Sequence, residues 1–198
     1  MNPNRKRILE ITTTGLFMAI IIVMTFIPNL GYIQINVLSI TTLHIPVIVG
    51  SVLLGPVGGL ILGATWGITN WINALQYPIE GVIFMNPLIS VVPRIIVGLV
   101  VGFGSVWPVL KSDSKNKIAR FFANTHVRDV TLAIVGTMTN TVLVLSAIGL
   151  FASTIAWPFS QTFTVIVQVV LSLNGSVELI SAIVIVPIVL AALRRIRK

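Results

Sequence analysis

The sequence predicts an all-α integral membrane protein with six transmembrane helices and both termini in the cytoplasm. Three observations carry that prediction. Of 198 residues, 56% are apolar and 9% charged, with a mean hydropathy of +1.02, where a soluble domain carries about 25% charged residues. Too little polar surface remains to cover a water-soluble globule, which excludes a soluble enzyme or a nucleic-acid-binding domain. The apolar residues fall in long continuous runs instead of short alternating ones, which excludes an outer-membrane β-barrel. The basic residues behind the net charge of +8 segregate to one side of a six-span topology, as the positive-inside rule requires. No cysteine is present, so disulfides, thiol catalysis and thiolate metal sites are out of reach.

The first span runs from Ile8 to Pro28, behind Arg5, Lys6 and Arg7. A signal peptide would have a shorter apolar region and a small-x-small cleavage site, so this helix is predicted to stay. The second runs from about Thr42 to Leu54, kinked at Pro46 and ended by Gly55-Pro56. Its shortness predicts a helix only partly exposed to lipid. The third covers about Val57 to Leu75 and the fourth about Pro87 to Leu110. After the polar stretch 111–126, the fifth covers about Val127 to Phe151, and the sixth runs from about Gly175 to Leu193.

Segment 152–173 has an apolar part, Phe159 to Leu173, that is short for a span and long for a plain loop. Charge decides it. With six spans, one side holds Arg5, Lys6, Arg7, Lys111, Lys115, Lys117, Arg120, Arg128, Arg194, Arg195, Arg197 and Lys198. The opposite loops, 29–41, 76–86 and 152–173, hold no Lys or Arg. A seventh span would throw the last four basic residues outside, against the rule. Segment 152–173 is therefore expected to be an external loop that folds back on the protein. With loops 29–41 and 76–86 it is expected to close over a bound ligand.

The same topology sorts the polar residues by depth. Trp66, Asn70, Asn73 and Tyr77 recur at i, i+4, i+7 and i+11 of the third span, which places them on one face. Arg94 lies about two turns below the outer end of the fourth span, and Asn140 sits with Thr137 and Thr141 mid-way along the fifth. Asn174 and Glu178 are one turn apart at the outer end of the sixth, with Glu80 and Asn86 in the loop above. Each is costly in hydrocarbon, and together they predict a polar cavity open to the outside.

Plainer roles compete with that reading. Arg94 can snorkel to headgroups, although Pro93 beside it frees a backbone carbonyl inside the bundle. Asn70 and Asn73 can serve as interhelical hydrogen-bond glue, Tyr77 as an interface aromatic, and Glu178 as a favourable charge at a helix N-terminus. His44 is read as structural; His126 is on the other side, so no histidine cluster and no metal site is expected. Gly59, Gly63 and Gly67 form a small-residue ridge continued by Gly98 and Gly102, read as internal close packing. Gly15 and Ala19 make a second, isolated small-xxx-small pair on the first helix.

Several chemistries are missing. No G-x-x-x-x-G-K-[ST] loop occurs, so ATP hydrolysis by that route is absent. No His-Glu-x-x-His, paired intramembrane aspartates or Ser-His arrangement is available for proteolysis. An intramembrane enzyme lacks a catalytic set, and a purely structural assembly protein would need no external polar cavity. What remains is a binding cavity without an engine.

Residues 41–72, TTLHIPVIVGSVLLGPVGGLILGATWGITNWI, resemble helices 2 and 3 of substrate-binding S components of energy-coupling factor (ECF) vitamin transporters. IVGTMTNTVLVL at 134–145 and NGSVELISAIVIVPIVLAAL at 174–193 resemble helices 5 and 6 of that family. The match covers nearly the whole chain in order, and is nearest the pantothenate-specific members; a riboflavin, folate or cobalamin carrier is the alternative. The resemblance implies a single transmembrane substrate-binding domain over 1–198 that captures a vitamin at its outer face, is not an enzyme and needs no cofactor. It implies a multi-pass location in a bacterial cell membrane. The implied partner is a module of one transmembrane scaffold subunit and two cytoplasmic ATPases, on which the subunit docks and topples. Docking in the family uses an Ala-x-x-x-Ala pair on helix 1, which Gly15 and Ala19 match as small for small. On this reading the substrate-binding residues are Trp66, Asn70, Asn73, Tyr77, Arg94, Asn140 and Glu178.

Overall fold

The computed structural model describes residues 3–33, 39–76, 78–106, 124–151 and 174–196. Segment 152–173, with its expected lid role, lies outside the described residues, as do Tyr77 and the lysines of the 111–120 stretch. The chain runs through helix α1 (Pro3–Phe26), a two-stranded antiparallel hairpin of β1 (Tyr32–Ile33) and β2 (Ile40–Thr41), and helix α2 (His44–Ala74). Short helices α3 (Pro78–Phe84) and α4 (Pro87–Ser90) lead into α5 (Val92–Val106), followed by α6 (Thr125–Leu150) and α7 (Gly175–Ile196). Among the described residues, five helical stretches are long and apolar enough to cross a membrane, α4 and α5 counting as one.

That stretch count hides the sixth expected span. Helix α2 contains Gly55 at φ 73°, ψ −164°, a conformation open to glycine and strained for other residues. The chain folds back there. A Cβ placed on Gly59 would lie 3.1 Å from the Ser51 hydroxyl, and one on Gly50 would overlap the Leu62 side chain. In a straight helix Gly50 and Leu62 would be about 18 Å apart. The two spans expected on either side of Gly55-Pro56 are therefore antiparallel arms of α2. The first arm, 44–54, is about 16 Å long, short of a bilayer core of roughly 30 Å. It manages because residues 44–51 are all buried, so protein rather than lipid surrounds it.

The glycine ridge packs internally, as expected. A Cβ on Gly59 would overlap the Gly98 carbonyl oxygen, and one on Gly98 would overlap that of Gly59. Gly67 approaches Val91, with Cβ to Cα at 2.8 Å, and Gly102 approaches Pro56 at 2.7 Å. The second arm of α2 thus lies antiparallel against α5 with almost no side chain between them. Phe17 and Ile21 of α1, Leu62 and Trp66 of α2, Val97 and Val101 of α5, Leu132 of α6 and Val186 of α7 fill the common core.

The fourth expected span is broken at Val91 into α4 and α5. Asn86 caps α4 by accepting from the Leu88 amide at 3.0 Å, and Pro87 takes its first turn, where a missing N–H does no harm. At the opposite end of the bundle, Arg194 of α7 grips the buried Asp129 of α6 through two hydrogen bonds, 2.5 and 2.9 Å. Arg7, Arg128 and Arg195 lie at this same basic end.

Candidate functional site

A cavity opens at the other end of the bundle, between the hairpin, α2, α5, α6 and α7. Asn70 of α2, Arg94 of α5, Asn140 and Thr141 of α6, and Asn174 with Glu178 at the start of α7 line it. Tyr32, Ser39 and Thr41 close it from the hairpin side, and Phe84 and Val144 complete the wall. Phe84 is placed by a small apolar cluster in which Ile83, Ile89 and Ile148 pack α3 and α4 onto α6.

Arg94 is 4% exposed, so it does not snorkel. Its position follows from the backbone. Pro93 has no N–H to give the Ile89 carbonyl one turn earlier, and Arg94 Nη1 donates to that carbonyl at 2.7 Å instead. The guanidinium carbon lies 5.3 Å from the centroid of the Trp66 ring and 5.2 Å from that of Phe84, both within cation–π range. A proline, a freed carbonyl and two aromatic faces hold a cation at the cavity wall. Planar and delocalised, a guanidinium suits such stacking and still presents a fork to a carboxylate.

Two polar ties bind the hairpin to the cavity wall. The Tyr32 hydroxyl donates to Asn70 Oδ1 at 2.6 Å and accepts from the Trp66 indole N–H at 3.2 Å. On the other side, the Thr41 amide donates to Glu178 Oε1 at 2.7 Å, and the His44 ring nitrogen Nε2 lies 3.3 Å from the Glu178 carbonyl. His44 is thus the structural residue the sequence suggested, joining the start of α2 to the start of α7. Asn70 Nδ2 and Asn140 Oδ1 are buried with no hydrogen-bond partner among the described residues. Two residues that line the cavity thus carry, respectively, a donor and an acceptor whose hydrogen-bonding capacity is unused.

Of the expected binding residues, Asn70, Arg94, Asn140 and Glu178 meet at the cavity. Trp66 and Asn73 share the buried face of α2 with Asn70 but stand behind the lining; Trp66 acts on the cavity through Arg94 and Tyr32. Tyr32, Ser39, Thr41, Phe84 and Val144 were not foreseen. Tyr32 had a readable signal, an aromatic with a polar tip in an external loop just after Gly31. Thr41 had none, because it contributes through its backbone N–H. The cavity volume is about 70 Å³, against roughly 300 Å³ or more for common ligand pockets, so a ligand of ordinary size enters only if lining side chains move.

Fold and cavity define a multi-pass membrane protein with a polar cavity at one end of its helix bundle. Residues 9–190 match the family described as ECF transporter, substrate-specific component, and the chain belongs to that family. The "Pantothenic acid transporter PanT" of Lactococcus lactis subsp. cremoris is 32% identical over 173 residues, 79% of this chain and 79% of that protein. The "Pantothenate transporter PanT" of Leuconostoc mesenteroides subsp. mesenteroides is 36% identical over 108 residues, 52% of each chain. The chain thus spans about half the length of the Leuconostoc relative.

Proposed function

We propose that this chain is the pantothenate-capturing subunit of an ATP-driven ECF importer, a binding subunit and not an enzyme, formed by one domain over 1–198. The observation that carries the reading is Arg94, the only cation lining the cavity among the described residues. Pantothenate is a small acid with one carboxylate, an amide and two hydroxyls. A guanidinium holds a carboxylate through two parallel hydrogen bonds, and Asn70, Asn140 and Glu178 supply hydrogen-bonding partners for the remaining groups. The cavity lies at the end of the bundle opposite Arg7, Arg128, Arg194 and Arg195, which supports a cavity facing outward and termini facing the cytoplasm. The names of the two relatives support the same substrate.

Mass spectrometry of small molecules retained by gently purified protein tests the substrate directly. Pantothenate is the expected mass; a different retained vitamin overturns the assignment.

Concentrating a solute needs energy from partners: a scaffold subunit and two cytoplasmic ATPases. Gly15 and Ala19 are both exposed, and a Cβ on Gly15 would meet nothing within 4 Å. Gly15 lines a groove between α1 and the turn of α2, with Met18, Leu54 and Val57 along its walls, which leaves room at this face for a helix of the scaffold. Gly15→Leu and Ala19→Leu are each expected to abolish uptake in cells while calorimetric binding by the isolated subunit stays at wild type. Wild-type uptake in both variants would remove the docking assignment.

A further inference from the structure

The hairpin brings one phenol into a chain of hydrogen bonds that ends in the cavity. The indole N–H of Trp66 is a donor only, and it occupies a lone pair of the Tyr32 oxygen at 3.2 Å. The single proton of that hydroxyl goes to Asn70 Oδ1 at 2.6 Å. Trp66 is fully buried and clamped against Arg94, so the donor to the phenol oxygen is held in place while the phenol's own proton points at Asn70. With its oxygen engaged, the Asn70 amide must turn its nitrogen the other way. Asn70 is buried and lines the cavity, and its Nδ2 has no partner among the described residues.

We propose that Tyr32 is a positioning residue for substrate selection: through Asn70 it fixes a hydrogen-bond donor at this point of the cavity wall, and so selects ligands that place an acceptor, such as an amide carbonyl, against it. The proposal rests on the reading of the cavity as a pantothenate site. A free asparagine can offer either its oxygen or its nitrogen to a ligand and adapts to donor or acceptor alike. A tethered one cannot. A ligand presenting a donor there would leave two donors facing each other at a buried atom, which is strongly disfavoured. The tether also sits on β1, so the hydroxyl that sets the polarity of the wall is one of the two ties that seat the hairpin.

The test is a double-mutant cycle read by calorimetry with pantothenate on the purified subunit. Tyr32→Phe keeps the ring and removes the proton that orients Asn70. It is expected to weaken binding about 10-fold in the wild-type background. In the Asn70→Ala background it should add less than about twofold, because the group it positions is gone. Asn70→Asp, which places an oxygen where the amide nitrogen stood, should bind more weakly than Asn70→Ala. A role for Tyr32 in merely holding the loop would give equal losses in both backgrounds, and that result overturns the proposal. So does wild-type affinity in Tyr32→Phe. Wild-type protein that binds no pantothenate overturns the functional reading and this proposal with it; wild-type binding with an unaffected Tyr32→Phe overturns this proposal alone.

Discussion

Arg94→Ala is expected to lose pantothenate binding by at least about 2 kcal/mol, roughly 30-fold. The size follows from where the guanidinium sits. At 4% exposure it is shielded from water, so a carboxylate reaching it gains a charge-assisted, two-point contact in a low-dielectric setting. Truncation removes that contact and leaves an incoming carboxylate unpaired. The same substitution strips the Ile89 carbonyl, already deprived of an amide by Pro93, of the hydrogen bond Arg94 supplies at 2.7 Å. A stability loss of about 1–3 kcal/mol is therefore expected beside the binding loss. Two controls separate these effects. Arg94→Lys can still donate to Ile89 and carry charge, but it has no fork, so stability should recover more than affinity. The alcohol analogue of pantothenate, which lacks the carboxylate, should bind wild-type protein far more weakly than the acid. Arg94→Ala should bind acid and alcohol about equally. Titration of the three proteins with both ligands decides it, and near-wild-type affinity for the acid in Arg94→Ala would remove the anion site.

The spans were legible because the bilayer imposes one rule on every backbone polar group and one length on every crossing. Even the short second span was legible, and its cause is the burial of residues 44–51 by protein. What could not be seen was the angle at Gly55. A Gly-Pro pair announces a break, but only the φ of 73° at that glycine turns the break into a reversal that stacks Ser51 beside Gly59. Arg94, Asn70, Asn140 and Glu178 stood out because polar groups at membrane depth need a reason. Periodicity put Trp66 and Asn73 on the same face as Asn70 but carries no information on which of them reaches the cavity. Tyr32 and Thr41 escaped for a different reason. They come from a loop that returns over the bundle, a tertiary event, and one of them acts through its main chain. The expected role of Glu178 also sharpened: its carboxylate already holds the Thr41 amide, so a ligand hydroxyl must share it with the hairpin.

The largest stability effect is expected at Gly98. Between membrane helices there is little hydrophobic drive, because lipid is as apolar as leucine; close van der Waals packing of small residues does the work. Gly98 and Gly59 each receive the other's carbonyl oxygen in the space a side chain would fill. The obstacle is backbone, which cannot rotate aside as a leucine tip can. Gly98→Ala must push α5 away from α2, and is expected to destabilise the protein by about 3 kcal/mol, the upper range for overpacking, or more. The damage should travel to the cavity, since Gly63, one turn along the same seam, abuts the backbone of Arg94. Weaker pantothenate binding should therefore accompany the lost stability. Gly15→Ala is the matched control. Nothing lies within 4 Å of its added carbon, and alanine is the better helix former by about 1 kcal/mol, so stability should hold or rise slightly. Thermal unfolding of the purified subunit in detergent, followed by tryptophan emission, compares the two. Equal midpoints for Gly98→Ala and wild type would mean that α2 and α5 are not packed backbone to backbone, and the placement of Arg94 would fall with that seam.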